Sequence, residues 1–432
     1  MNLIETKQHG DMLRPNARCP IQFRGDWKRV LEKSEIEVML NDETVTKYQI
    51  KWCEGPLWLP TPTSSSDDDD DDTSYHFYFT DPTLGKIFRL DSSNYKVDVW
   101  AIHTGGIDPT TRPELAEPGS NGMAICISPP TTSTTSSDKK RKRDNTSSSP
   151  IVAICRHATH SIVTCCLGEH EMGRPLHEAP KFEIICDSYM GKPLNSPNDV
   201  IVDPRDGSIW FTDPIYGLLQ KTKFCDEWKD GTSYLDDESC KRRQGIKGVY
   251  RVDRHTKDVT LVTSYHRRPN GLAFSFNYKK KKQKQNQTLW IADSTIGMPS
   301  WTEYETTITD TCTSDSQDQQ QPLLGSRAIK VLNAATLGCH LGSPSGLGND
   351  MTGIEGLSDG FKIDNDCCGY IWTSIPNGFA VLDPGDDSDR RPPQVICEIL
   401  LGVNTSNVAF GSGGDVWLTG AAGVWRLQRR VP

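Results

Sequence analysis

The stretch "LNSPNDVIVDPRDGSIWFTDPIYG" runs from Leu194 to Gly217 near the middle of a 432-residue chain. An Asn-Asp pair leads a short apolar run, a Pro-Arg-Asp-Gly turn follows, and a second, aromatic run ends on Asp213. Short runs of Val, Ile, Phe and Trp bounded by Gly, Pro, Asn and Asp read as strands joined by a turn. The wording recurs along the chain. Leading runs start at Glu54 ("EGPLWL"), Asn121 ("NGMAICIS"), Asn198 ("NDVIVDP"), Asn270 ("NGLAFSF"), Asp359 ("DGFKIDN") and Asn407 ("NVAFGSG"). Second runs start at His76, Ile151, Ser208, Thr288, Tyr370 and Asp415, and third runs at Gly85, His160, Gly248, Ala328, Phe379 and Gly423. Each series has six members, in the same order.

From Asp359 to Asn407 is 48 residues, close to the roughly 40–50 of a four-stranded propeller blade. Six such sheets set radially bury one another's faces and leave only short edges. The fold predicted is therefore all-β, a single six-bladed β-propeller over 30–432 preceded by an N-terminal extension, 1–29. The last repeat stops at "WRLQ", so its outermost strand must come from the 30–52 region, which closes the ring. Low-complexity runs at 61–74, 131–150 and 277–287 cannot bury apolar surface and read as solvated insertions. They fall between first and second strands, on the face away from the leading residues. The segments 217–246 and 295–327 follow second strands and read as lid loops over the opposite mouth.

In a propeller the first strand of each blade lies beside the central channel, so its leader sits at one mouth. The leaders here are two carboxylates and four amides, Glu54, Asn121, Asn198, Asn270, Asp359 and Asn407. Oxygen-only donors suit a hard cation such as Ca²⁺, and without His or Cys a dedicated zinc site is disfavoured. Asn-Gly and Asp-Gly are also common turn dipeptides, but six polar leaders in register favour a shared site on the axis. Second strands return to the same mouth and end at Asp81, His157, Asp213, Asp293, Ser374 and Gly420. Asp213 and Asp293 are read as supports behind the leaders, with turn capping as the plainer alternative. His157 reads as a rim hydrogen-bonding residue or as a proton carrier.

Hydrophobic content is only 35%, yet 11 Trp, 12 Tyr and 12 Phe can sustain cores. Net charge is −9, and it becomes −13 once the six Asp of 67–72 and the ten Lys/Arg of 139–143, 279–282 and 284 are set aside. An acidic foldable part argues against a nucleic-acid partner; "KKRKR" is either an import patch or a charged loop tip. The N-terminus lacks a signal-peptide core, and no run reaches the ~18 apolar residues of a membrane span. Fourteen Cys without zinc spacing then read as free thiols in a reducing cytosol. The expectation is a cytoplasmic monomer with no membrane partner.

Taken in order, "EGPLW", "LNSPNDVIVDPRDGSIWFTDPIYG", "GVYRVD", "RPNGLAFS", "LWIADS" and "SDGFKID…YIWTSIPNGFAVLDP" resemble the senescence marker protein (regucalcin)/gluconolactonase/luciferin-regenerating family, nearest its microbial gluconolactonase branch. The likeness covers about residue 50 to the C-terminus, less the insertions. It implies a six-bladed propeller with one divalent cation, Ca²⁺ first and Zn²⁺, Mn²⁺ or Mg²⁺ as alternatives. By motif it implies Glu54, Asn198, Asn270 and Asp359 as metal ligands and Asp359 as general base. It also implies Asn121, His157 and Asn198 as substrate contacts. The family's "ACEH" segment reads "ICRH" here, so its Glu has become Arg156. The expected activity is metal-dependent hydrolysis of a sugar lactone, the cation polarising the ester carbonyl for attack by water. Alternatives are another hydrolase on the same scaffold, for phosphotriesters or other lactones, and a non-enzymatic calcium-binding or interaction propeller. No G-x-S-x-G elbow supports a serine esterase.

Overall fold

A computed structural model describes residues 6–8, 22–26, 28, 35–60, 75–126, 149–168, 170–219, 245–276, 287–295, 298–306, 328–338, 358–365, 368–386, 390–411 and 414–428. Six mainly antiparallel sheets form a ring, a six-bladed β-propeller. The innermost strands are Glu54–Pro60, Ser120–Ile125, Val200–Val202, Pro269–Phe276, Phe361–Ile363 and Thr405–Phe410, one per blade from blade 1 to blade 6. Most of the insertions predicted at 61–74, 131–150 and 277–287 lie outside the described residues. So do most of 217–246 and 307–327.

The blades are held together by six apolar clusters, each filling one interface. Strand alternation sends successive side chains of a second strand to opposite neighbours. Phe211 thus packs with Cys155 and Ile162 of blade 2, while Trp210 packs with Leu272 and Leu289 of blade 4. Trp290, Trp372 and Trp417 repeat the Trp210 role towards blades 5, 6 and 1. The Trp417 and Phe77 rings stack at 4.4 Å. Removing one such buried Trp would cost about 3–5 kcal/mol.

Ring closure uses the N-terminal segment. Glu35–Val38 pairs antiparallel with Gly423–Gln428, Ile36 opposite Leu427 and Val38 opposite Trp425, as the fourth strand of the last blade. The stretch 1–29 is less separate than expected. Gln22–Gly25 pairs with Gln394–Leu400 as a fifth strand of blade 5, and Thr6–Gln8 runs parallel to Glu35–Val38. Blade 4 needs a second correction. Its third strand is Ser300–Glu305, inside the segment assigned to a lid, and "KVLN" (Lys330–Asn333) is its fourth. "SWTEYE" lacks the Gly-led wording of the third strands in blades 1, 3, 5 and 6, but its Trp301 is fully buried.

Among the described residues no helix is long and apolar enough to cross a membrane. Described cysteines are free thiols, and Cys53, Cys155, Cys165, Cys166, Cys186 and Cys397 are buried.

Candidate functional site

All six leaders are buried, Asp359 the most exposed at 9%. Register puts them at one end of the blades. In blade 1, Glu54 lies opposite Thr80, whereas Pro60 and Tyr75, which flank the insertion, pair at the other end.

The Asn-Gly and Asp-Gly dipeptides turn out not to be turns. A hairpin turn built on them needs φ above zero, and Gly122, Gly271 and Gly360 do not have it. They are glycine because the neighbouring blade is too close for a side chain. A Cβ on Gly122 would meet the Asn198 carbonyl oxygen at 2.7 Å, on Gly271 that of Asp359 at 2.7 Å, and on Gly360 the Asn407 amide at 2.1 Å. The amides cross the same gap: Gly122 donates to the Asn198 carbonyl at 2.7 Å and Gly271 to that of Asp359 at 3.3 Å. The backbones beside Asn121 and Asn270 are thereby locked to the next blade.

Carboxylates from different blades share the space these leaders enclose. Burial, and then the charge of Asp359, hold the Glu54 carboxyl well above its ordinary range, although Trp52 Nε1 donates to it at 2.9 Å. Burial, and then the charge of Glu117, do the same to Asp359, which the Asn270 side chain partly offsets by hydrogen bonding. Glu54, Asn270 and Asp359 thus converge. Asn198 and Asn121 are buried, Asn198 with its amide on the Thr212 carbonyl at 2.9 Å. Asn407 Oδ1 accepts from Val408 at 2.8 Å and from Lys362 Nζ at 3.4 Å.

Asp213 and Asp293 act behind the leaders, on backbone amides. Asp213 accepts from the amides of Asn195 and Ser196, both at 2.8 Å, just before Asn198. Asp293 accepts from Arg267 at 3.0 Å and Arg268 at 3.2 Å, just before Asn270. Burial opposes the charge on Asp293, but donors from His266, Thr295 and the Arg267 amide outweigh it and hold its carboxyl below the usual range. Asp81 grips the Lys51 and Trp52 amides ahead of Glu54 in the same way.

Blade 2 departs from the register expected of it. Ser120, just before leader Asn121, faces Arg156, as Pro269, just before Asn270, faces Asp293. Arg156 therefore holds the place of the clamping acid, and burial lowers its pKa to about 10. His157 lies one residue further, its amide on the Gly119 carbonyl as that of Ser294 is on Arg268. Ser294 touches its own leader, accepting from Asn270 Nδ2 at 3.0 Å, so His157 occupies the matching place beside Asn121. Its ring is fully buried and its Nδ1 lies 3.4 Å from Glu117 Oε2.

Glu117, Asp199 and Lys362 were not anticipated. Asp199 stands where four other leaders are followed by Gly, accepts from the Leu272 amide at 3.0 Å and faces Lys362 Nζ at 3.8 Å. That exception to Asn-Gly was a visible signal; Glu117, in the approach loop "LAEPGS", carries none.

Among the described residues no three His, Cys, Asp or Glu side chains gather as a metal-holding group. A cation here would rest on two carboxylates, Glu54 and Asp359, with amide oxygens completing the set. That donor set fits a hard divalent ion, and two buried carboxyls raised together lack compensating positive charge.

No protein-family model matches the chain. A curated gluconolactonase of Zymomonas mobilis is 23% identical over 401 residues, 92% of this chain and 82% of that protein. A solved gluconolactonase of Xanthomonas campestris superposes with a TM-score of 0.54 at 19% identity, covering 95% of this chain and 94% of its own. A further structure, described as a candidate gluconolactonase, gives 0.52 at 18%, covering 94% and 97%. The chain is thus similar over nearly its whole length to a curated gluconolactonase, and it shares its six-bladed fold with solved gluconolactonase structures.

Proposed function

We propose that the protein hydrolyses a sugar lactone of the glucono-1,5-lactone type at the mouth ringed by the six leaders. The observation that carries the reading is the buried pair Glu54 and Asp359, brought from blades 1 and 5 into one amide-lined space. The gluconolactonase relative, matching 92% of the chain, supports the choice of substrate class.

Glu54, Asn198, Asn270 and Asp359 would hold one divalent cation, Ca²⁺ in the first place. When bound, the cation supplies positive charge that polarises the lactone carbonyl and stabilises the oxyanion. Asp359 takes the proton of the attacking water. Asn121 and Asn198, neutral and able both to donate and to accept, hold sugar hydroxyls and fix the face that the water meets. Burial of the leaders keeps bulk water from competing for these contacts.

The test is hydrolysis of glucono-1,5-lactone by the full chain, with and without EDTA. Turnover should vanish in EDTA and return with Ca²⁺, and Asp359→Ala should lower kcat by about 100-fold or more. Turnover indifferent to EDTA would sink the metal assignment. Turnover of a phosphotriester with none of the lactone would move the site to the other hydrolase class.

A further inference from the structure

We propose that Glu117 and His157 work as one carboxylate–imidazole pair that hands a proton to the ring oxygen as the lactone opens. This rests on the lactonase reading above.

Three independent features place the pair. His157 is fully buried, and neither ring nitrogen has a hydrogen-bond partner among the described residues. Its Nδ1 is 3.4 Å from Glu117 Oε2, within ion-pair range though not aligned as a hydrogen bond. Unaligned contacts of this kind tighten when substrate binds. Secondly, Glu117 is the foremost charge acting on Asp359 and also acts on Glu54, so its carboxylate reaches both the imidazole and the leaders. Thirdly, the fold makes room for the ring. A Cβ on Gly217 would meet His157 Cβ at 2.5 Å and Cγ at 2.8 Å. The Ala116 amide, next to Glu117, is tied at 2.8 Å to the carbonyl of Leu219 in the same loop as Gly217. Loops of blades 2 and 3 thus close around one imidazole beside Asn121.

Lactone hydrolysis needs a proton at each end. The water oxygen bonds to the carbonyl carbon and its proton passes to Asp359. The bond from that carbon to the ring oxygen then breaks, and its electron pair stays on the ring oxygen. That oxygen takes the proton of the His157 imidazolium from Nε2, while Nδ1–H stays directed at Glu117. Glu117 balances the imidazolium charge before transfer and fixes the ring orientation. Asp359 releases its proton to solvent, His157 regains one, and the new carboxylic acid ionises, so the products are the hydroxy-carboxylate and a proton. His157 is the catalytic residue and Glu117 its positioning residue.

The test combines long-range ¹H–¹⁵N spectra of the histidine rings with kinetics. His157 is assigned by loss of its signals in His157→Gln. In the wild type Nδ1 should carry the proton, keep it in Glu117→Asp and lose that preference in Glu117→Gln. With lactone and saturating Ca²⁺, Glu117→Gln should lower kcat by about 10–100-fold with KM changed by less than about three-fold, while Ca²⁺ affinity weakens modestly because a charge acting on Asp359 is lost. Glu117→Asp should recover part of the loss, and the Glu117→Gln/His157→Gln double variant should be no slower than His157→Gln. Ring spectra indifferent to Glu117→Gln would overturn the pairing. A large drop in Ca²⁺ affinity would make Glu117 a ligand instead, and losses that multiply in the double variant would make the two residues independent. A wild-type protein inactive on lactones would remove the lactonase reading and the proton step with it, while the spectra would still decide the pairing.

Discussion

Glu54 and Asp359 sit in the same buried space, where burial and then the charge of Asp359 raise Glu54, and burial and then the charge of Glu117 raise Asp359. A carboxyl whose pKa is raised on folding binds protons more tightly in the folded state, so it destabilises as pH rises above the unfolded value of about 4. In EDTA the melting temperature should therefore fall between about pH 4 and neutrality, and Ca²⁺ should restore most of it. Glu54→Gln should raise the melting temperature at pH 7 in EDTA by several degrees, at roughly 2–4 °C per kcal/mol. It should also abolish the Ca²⁺-induced gain. A calorimetric scan of both proteins decides it; a variant that still gains with Ca²⁺ would remove Glu54 from the ligand set. These carboxylates were legible in the repeat because each opens an innermost strand. Glu117 was not, because a loop residue acquires its neighbours only once the blades are assembled.

At the scale of the strand, the glycines after the leaders are spacers between blades rather than hinges. Gly271→Ala would drive a methyl group to 2.7 Å from the Asp359 carbonyl oxygen, which is backbone and cannot swing away. The expected cost is about 1–3 kcal/mol of stability, together with weaker Ca²⁺ binding because Asp359 is displaced. Urea denaturation and a Ca²⁺ titration read the two effects separately, and stability unchanged within error would refute the spacer role. The dipeptides had two readings in the sequence, turn or leader, and only the neighbouring blade's carbonyls exclude the first. The strand-ending acids were legible as a series. Their action on backbone amides of the approach loops, and the place of Arg156 where blades 1, 3 and 4 carry the acid, follow from register, which depends on the whole blade.

Across the whole molecule, the ring is closed by a strand from the opposite end of the chain. Ile36 is 1% exposed and pairs with Leu427. Ile36→Asp would bury an unpaired carboxylate in the seam between blades 5 and 6 and should cost about 3 kcal/mol or more. Thermal unfolding measures this, and a melting temperature within a degree or two of wild type would argue against the closure. The insertion at 61–74 should behave in the opposite way. Pro60 and Tyr75 are directly opposed at the end of the hairpin away from Glu54, so an Asn-Gly turn can replace residues 61–74. Lactonase activity of that deletion should stay within about two-fold of wild type, since loop length alone costs little.

The number of blades, the polar identity of the leaders and the order of the strands in every blade but the fourth were determined by the sequence alone. Those features repeat, and repetition separates a weak local signal from chance. The need for an N-terminal strand was also legible, by subtraction, because the last repeat ends one strand short. What tertiary structure alone decided is which groups meet. It set Glu54 near Asp359, Lys362 facing Asp199, Glu117 against His157, and Ser300–Glu305 as a strand where a lid had been expected. The physical reason is range. Strand pattern and turn chemistry act over a few residues, whereas burial and Coulomb coupling act between chain segments brought together only when the ring closes.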